Sequence, residues 1–377
     1  MRGYAAPGFE PVLDAFAANL DRRGEVGAAF AAYVDGELVV DLWGGVADTE
    51  TGAPWERDTL QLIFSGTKGV VATALLILAD RGQLDFEEPV ATYWPEFAQS
   101  GKASITVGDV LSHQSGLPAL DADVSAEAIL DGEAMAELLA RQPPQWSGER
   151  RVSYHSLTYG WLCGELVRRI AGTTVGALVR TEIAEPLDAE VWIGLPPELE
   201  GRVTTLCTRA DFRTLIAAAS AGPGERRATN PPIFDEPLLW NLPAVHAAEI
   251  PGANGIASAR GMATLYGCLA CGGTLGGTRL LCEDVVERGR AERARGLDAL
   301  SDESLAFGLG FQLQTEGAPF GPPVDGYGHA GAGGSVHGAW PRLRAGFSYV
   351  MSQMRDDTDD DRSRTLLAAL YVAAANR

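Results

Sequence analysis

In residues 60–97, LQLIFSGTKGVVATALLILADRGQLDFEEPVATYWPEF, a short extended run passes into a helix that is apolar on almost every face. A helix hydrophobic all round is buried either in a large core or in a membrane. The apolar stretch Val70 to Ala79 is too short to span a bilayer. The helix is therefore predicted to run through the middle of a soluble core and to end at Gly82. At its start stand Ser65 and Lys68, three residues apart and so on one face, within mutual reach.

This pair has a plain reading and a chemical one. Ser65 can be an N-cap while Lys68 snorkels to solvent. Alternatively, the helix N-terminus favours an anionic Ser65 oxygen, and the apolar surroundings disfavour a charged Lys68. Composition bears on the choice. Lysine and arginine total 30, yet Lys68 and Lys102 are the only lysines. Arginine cannot give up its proton in a protein and lysine can, so a lysine inside an apolar helix invites a proton-transfer role. The spacing by itself leaves both readings open.

Working outward, Phe9 to Arg22 reads as an amphipathic helix, and GAAFAAYVDGELVVDLWGGVAD (27–48) as a hairpin turning at Asp35-Gly36. Thr59 to Phe64 is a third extended run. From Leu84 to Ala219 the pattern is mostly helical, broken by loops rich in Pro and Gly. Residues 219–253 are irregular, and long irregular loops are often lids over sites. A helix resumes in NGIASARGMATLYGCLA, β-like runs fill 307–354, and RSRTLLAALYVAAA closes the chain as a helix. The acidic run Asp356 to Asp361 reads as a solvated turn before it. The expected fold class is α+β, with an antiparallel sheet built from both chain ends, flanked by helices, and an all-helical lobe inserted between. The expected division is 1–83 with 250–377 for the sheet lobe, and 84–249 for the helical lobe with its lid. The site would lie in the cleft between them.

Charge and cysteine usage narrow the function. Of 377 residues, 46% are hydrophobic and 21% charged, an ordinary soluble profile, and the net charge is −20. That charge excludes nucleic acid and anionic membrane surfaces as natural partners. The first 23 residues carry Glu10, Asp14 and Asp21 and hold no uninterrupted apolar segment, so they do not read as a secretory signal. The expected location is the cytoplasm. Five scattered cysteines do not form a disulfide framework, and Cys268-x-x-Cys271 lies in an apolar helix without a second pair. The five histidines lack metal-binding spacing, so neither a metal nor a cofactor is expected. The expected partner is a small-molecule substrate; a homo-oligomer is compatible with the composition.

Two further segments carry polar groups suited to a reaction. Tyr154-His155-Ser156 precedes the helix that begins near Leu157, and its phenol can relay a proton or simply pack beside Trp161. GHAGAGGSVHG (328–338) can be a ligand-free glycine-rich hairpin, or a strand whose glycines let a substrate approach the backbone. In the second case the N–H groups of Ala332 and Ser65 can together hold an oxyanion.

Ser65-x-x-Lys68, then Tyr154-x-Ser156, then His329-Ala330-Gly331 resemble, in order and separation, the serine β-lactamase and penicillin-binding-protein superfamily. The phrases at 60–97, ITVGDVLSHQSGLP (105–118) and PGANGIASARGMATLYG (251–267) are similar to the class C β-lactamase-like carboxylesterases, the family VIII esterases. The resemblance runs from about residue 10 to residue 375. It implies that Ser65 attacks an ester or amide carbonyl and forms an acyl-enzyme. Lys68 and Tyr154 would share the general-base role, Tyr154 would protonate the leaving group, and Ser65 and Ala332 would form the oxyanion hole. Ser156 would hydrogen-bond Lys68, while His329, Ala330 and Gly331 would contact substrate. Trp240, His246 and Tyr327 are candidates for the cleft lining, with ordinary packing as the alternative. Two departures shift the expected bond from a β-lactam to an ester: histidine stands where lactamases carry lysine, and Ser156 where class C lactamases carry asparagine. Acyl transfer, D-amino-acid peptide or amide hydrolysis and weak β-lactam hydrolysis are the alternatives on the same fold. A Ser-His-Asp triad is disfavoured by the lack of any G-x-S-x-G.

Overall fold

The computed structural model describes residues 1–146, 150–208, 237–301, 303–355 and 360–377. Its frame is an antiparallel sheet. The strands used below are β1 (Arg2–Ala5), β2 (Gly27–Val34), β3 (Glu37–Asp48), β4 (Ala294–Leu297), β5 (Ser304–Phe307), β6 (Gln312–Leu313), β7 (Tyr327–Gly331), β8 (Ser335–Trp340) and β9 (Ala345–Met351). They lie in the order β1-β3-β2-β9-β8-β7-β6-β5-β4, and Ala53–Pro54 pairs with β3 as a tenth strand. Both ends of the chain thus contribute to one sheet, joined where β2 pairs with β9 from Ala28↔Met351 to Val34↔Ala345. The β2–β3 hairpin turns at Asp35 and Gly36, both at positive φ (52° and 79°), as a type I′ turn requires.

Both sheet faces are covered, which explains why GAAFAAYV shows no polar alternation. Ala28, Phe30, Ala32 and Val34 face helices α1 (Glu10–Arg22) and α5 (Arg362–Ala375), packing with Phe16, Leu366 and Leu370. Ala29 and Ala31 face the opposite layer, with α2 (Gly66–Asp80) and α4 (Ala259–Ala270). There α4 approaches β9 so closely that a Cβ on Gly346 would sit 2.1 Å from Gly267 N, so neither strand nor helix has room for a side chain at the crossing. Helix α2 is buried from Gly66 to Leu78, as its all-round apolarity predicts.

Helices dominate 84–208, including α3 (Thr158–Ala171). Within that stretch Val191–Trp192 pairs with Ile256–Ala257, which also pairs with Gln61–Leu62. This three-stranded ribbon ties the helical part to the run that leads into Ser65. Lys102, the second lysine, is buried and donates to the carbonyls of Gln99 (3.0 Å) and Ala140 (3.0 Å) and of Gln142 (2.5 Å). Both lysines of the chain are therefore interior.

Two expectations change. Of the irregular segment 219–253, residues 219–236 lie outside the described residues. The remainder is not all loop, because Pro237–Asn241 and Pro243–Ala247 form short helices. Nor is the acidic run simply solvated. Positions 356–359 lie outside the described residues, but Asp360 is buried because its carboxylate pairs with Arg362 (2.6 Å).

Candidate active site

The turn before α2 is built to present Ser65. Phe64 sits at φ 44°, a left-handed conformation that costs a bulky residue about 1 kcal/mol or more and persists only when its surroundings hold it. Those surroundings are specific. Phe64 bridges Asn254, Ile63 N donates to Gly255 O (2.8 Å), and Gly255 N donates to Thr67 Oγ1 (2.7 Å). The buried Trp240 packs its ring edge-on against Phe64, with centroids 5.3 Å apart. Ser65 starts the helix, yet its hydroxyl makes no capping hydrogen bond. The plain N-cap reading therefore fails.

The hydroxyl is instead held by the two groups singled out from the sequence. Lys68 Nζ lies 3.0 Å from Ser65 Oγ, and Tyr154 Oη donates to the same oxygen at 2.7 Å. Lys68 does not snorkel. It is 0% exposed, and its Nζ donates to Gly252 O (2.7 Å) and stands 4.9 Å from the centre of the Tyr154 ring. Burial brings its pKa down from 10.5 to about 7, so a neutral amine is within reach near neutral pH. Burial moves Tyr154 the other way, well above the usual phenol range, against the pull of its hydrogen bond to Ser65. The two groups are therefore not equivalent: the amine suits the base role and the phenol the acid role. Ser65 and Tyr154 retain some exposed surface, so the hydroxyl can be approached.

Tyr154 is clamped from both sides. His113, buried at φ 61°, accepts from Ser153 N through its carbonyl and from His155 N through Nδ1, both at 2.9 Å. His155 Nδ1 lies 2.6 Å from Ser153 O, and its Nε2 lies 2.7 Å from Ser115 Oγ. Burial takes the His155 pKa down to about 4, so it serves as a neutral strut. On the sheet side, Gly331 must be glycine, since a Cβ there would lie 2.4 Å from Ile63 O. That contact brings the turn after β7 against the turn before Ser65. Among the described residues, neither the Ser65 N–H nor the Ala332 N–H has a hydrogen-bond partner. A hydroxyl held between an amine and a phenol, with two unpartnered N–H groups in the adjoining turns, is chemically suited to acyl transfer.

The beta-lactamase family model matches residues 12–371. The chain belongs to the beta-lactamase family. Esterase/beta-lactamase LipL of Mycobacterium tuberculosis is 38% identical over 371 residues, covering 93% of this chain and 83% of that protein. The solved structure of a family VIII carboxylesterase superposes with a TM-score of 0.91 at 37% identity, covering 99% of both chains. EstA from Arthrobacter nitroguajacolicus Rue61a gives a TM-score of 0.89 at 32% identity, covering 100% of this chain and 99% of that one. The fold is therefore that of the serine β-lactamases and penicillin-binding proteins, and the likeness to a family VIII carboxylesterase spans nearly the whole chain.

Within this beta-lactamase-family site, some expected contacts are absent. Ser156 is not a partner of Lys68; the Gly252 carbonyl takes that place, because 251–255 packs directly on the start of α3. His246 is buried, with Nδ1 3.0 Å from Glu200 Oε1 and Nε2 2.6 Å from Trp240 O. Trp240 supports Phe64 rather than offering a surface, and Tyr327 is buried against Phe311. His329 is 2% exposed; its Nδ1–H donates to Ala330 O (2.9 Å), and its ring centre is 6.1 Å from that of Tyr154. Burial brings its pKa to about 3, with Lys68 adding to the effect, so it carries no charge near neutral pH. Ala330 and Gly331 line a cavity of about 320 Å³ with Ser335, Ser363 and Arg364. Reading the sequence alone missed Gly252, His113 and Asp298, whose carboxylate accepts from Tyr154 N (3.0 Å). The first two lie in PGANG and LSHQSGLP, segments noted only for their likeness; Asp298 has no local signal at all. Among the described residues no helix is long and apolar enough to cross a membrane.

Proposed function

We propose that this protein hydrolyses small carboxylic esters through an acyl-enzyme on Ser65. The observation that carries the reading is the shared coordination of Ser65 Oγ by Lys68 and Tyr154, one lowered and one raised in pKa. Neutral Lys68 takes the Ser65 proton as Oγ attacks the ester carbonyl. The N–H groups of Ser65 and Ala332 receive the developing oxyanion. Tyr154 passes its proton to the departing alkoxide and is reprotonated from Lys68. Water then enters against the acyl-enzyme: Lys68 draws the Tyr154 proton, the phenolate takes a proton from the water, and protonated Lys68 returns one to Ser65 Oγ as it leaves. The neutral His329 supports an ester over an anionic β-lactam, since no cation stands at that position to meet a carboxylate. LipL carries both names, esterase and beta-lactamase, so weak lactam cleavage is the second reading. The reading also keeps the protein in the cytoplasm, in line with its five free cysteines.

The test is a hydrolysis panel on purified protein: p-nitrophenyl esters of increasing acyl length, a chromogenic cephalosporin and D-alanyl p-nitroanilide, with Ser65→Ala as control. Short-chain esters are expected to be cleaved with the highest kcat/KM, and the Ser65→Ala protein to be inert. A cephalosporin turned over faster than every ester, or activity surviving Ser65→Ala, overturns the proposal.

A further inference from the structure

We propose that Asp298 is a positioning residue that aims the Tyr154 hydroxyl at the leaving group, and so sets how well esters of weakly acidic alcohols are cleaved. This rests on the ester-hydrolase reading above. Asp298 follows β4, 144 residues from Tyr154, yet its carboxylate is where the Tyr154 segment is tied down. Oδ2 accepts from Tyr154 N (3.0 Å), while Oδ1 accepts from Ser153 Oγ (2.8 Å) and Leu300 N (2.8 Å). The neighbouring main chain continues the clasp, since Ala299 N donates to Val152 O (3.0 Å) and Asp298 N to Glu303 O (2.8 Å). His113 holds the opposite side of residues 153–155, so Tyr154 sits between two clamps, only one of which is charged.

Three donors converge on this carboxylate. An amide of the same shape offers one acceptor oxygen and turns an NH₂ toward the remaining donors, so Asp298→Asn cannot satisfy them. The Tyr154 backbone then loses its anchor, and the hydroxyl 2.7 Å from Ser65 Oγ shifts. Reaction rates respond steeply to displacements of this kind. The response depends on the substrate. An alkoxide leaving group needs a proton as it departs, whereas p-nitrophenolate leaves without one. A displaced acid therefore harms alkyl esters selectively, while a general loss of folded protein harms all substrates by one factor.

The experiment compares kcat/KM for ethyl butyrate, followed by pH-stat, with that for p-nitrophenyl butyrate, in full-length wild type, Asp298→Asn, Asp298→Ala and Tyr154→Phe. The shared butyryl group makes the acyl-enzyme common to both substrates. For Asp298→Asn, ethyl butyrate is expected to fall about 10²-fold and p-nitrophenyl butyrate by no more than about 3-fold, with Tyr154→Phe showing the same bias more strongly. Ser153→Ala, which removes one of the three donors and should fold normally, is expected to shift the ratio in the same direction by less. Equal losses on both esters, or an unchanged ratio in the folded variants, overturn the proposal. Wild-type protein that cleaves neither ester overturns the function proposed above, a different failure, seen before any variant is compared.

Discussion

Lys68→Arg is expected to lower kcat/KM for esters by about 10³-fold while leaving the protein folded, because a guanidinium cannot accept the Ser65 proton. The wild-type pH profile should show why. Lys68 has a folded pKa near 7, so its neutral, base-competent form grows as pH rises through about 7, and kcat/KM should rise with it. Tyr154 stays protonated across that range, and His155 and His329 titrate near 4 and 3, so none of them contributes to this limb. The same shift has a cost in stability. The folded pKa lies below the unfolded value of 10.5, so between about 7 and 10.5 the unfolded chain binds more protons and stability rises with pH. Below about 7 the full penalty of burying the charge is present. Lys68→Met removes it. That variant is expected to be as inactive as Lys68→Arg but more stable than wild type by several kcal/mol at pH 6, the gain shrinking toward pH 10. Urea denaturation at the two pH values checks the sign. A wild-type profile flat from pH 6 to 8, or a Lys68→Met protein less stable than wild type at pH 6, refutes the neutral-base assignment.

How much of this was visible before any coordinates depended on the range over which the signal acts. Helix α2, the β2–β3 hairpin and the closing helix were legible because burial period and turn chemistry are local properties. Spacing and the scarcity of lysine single out Ser65 and Lys68 but leave two readings open; Tyr154 stands out only through the order of the three segments, which resembles the serine β-lactamase superfamily. Their division of labour was not legible: the lowered amine and the raised phenol are products of burial, which depends on residues from the whole chain. Gly252 and Asp298 act through main-chain and long-range contacts that leave no residue-type signature at their own positions. The misplacements run the other way. Trp240 and His246 were suggested for the cleft because they are large and polar-capable in an irregular segment. In the fold, Trp240 serves instead to support Phe64, and His246 is spent on Glu200 and the Trp240 carbonyl. Ser156 was assigned to Lys68 by likeness, but a backbone carbonyl can fill that role with any residue type.

Asp360, which is buried where the sequence reads as a solvated turn, points to the largest stability effect, at Arg362. Its guanidinium is 0% exposed and binds Glu25 through Nη1 (2.9 Å) and Asp360 through Nη2 (2.6 Å), while Tyr349 Oη donates to Glu25. Arg362→Leu leaves two buried carboxylates without their cation, and the expected loss is about 3–5 kcal/mol, well above a typical core substitution. The pH dependence follows from Glu25. Burial already raises its pKa despite Arg362, and removing the cation raises it further. A carboxyl whose folded pKa exceeds its unfolded value favours folding in acid and loses that advantage as pH rises. The deficit of Arg362→Leu should therefore be smaller at pH 5 than at pH 8, and Glu25→Gln in the same chain should recover part of it by removing the charge outright. Urea midpoints for the two proteins at both pH values measure this; a deficit that grows toward acid contradicts it. The cluster also reaches the site, since Gly333 O accepts from Arg362 Nη2 (3.3 Å) and Arg355 N (3.1 Å). Gly333 directly follows Ala332, whose N–H completes the proposed oxyanion hole. Arg362→Leu should accordingly reduce kcat even at 10 °C, where the variant is still folded. The buried charges that hold the two chain ends together thus also anchor the residue next to one donor of the proposed oxyanion hole.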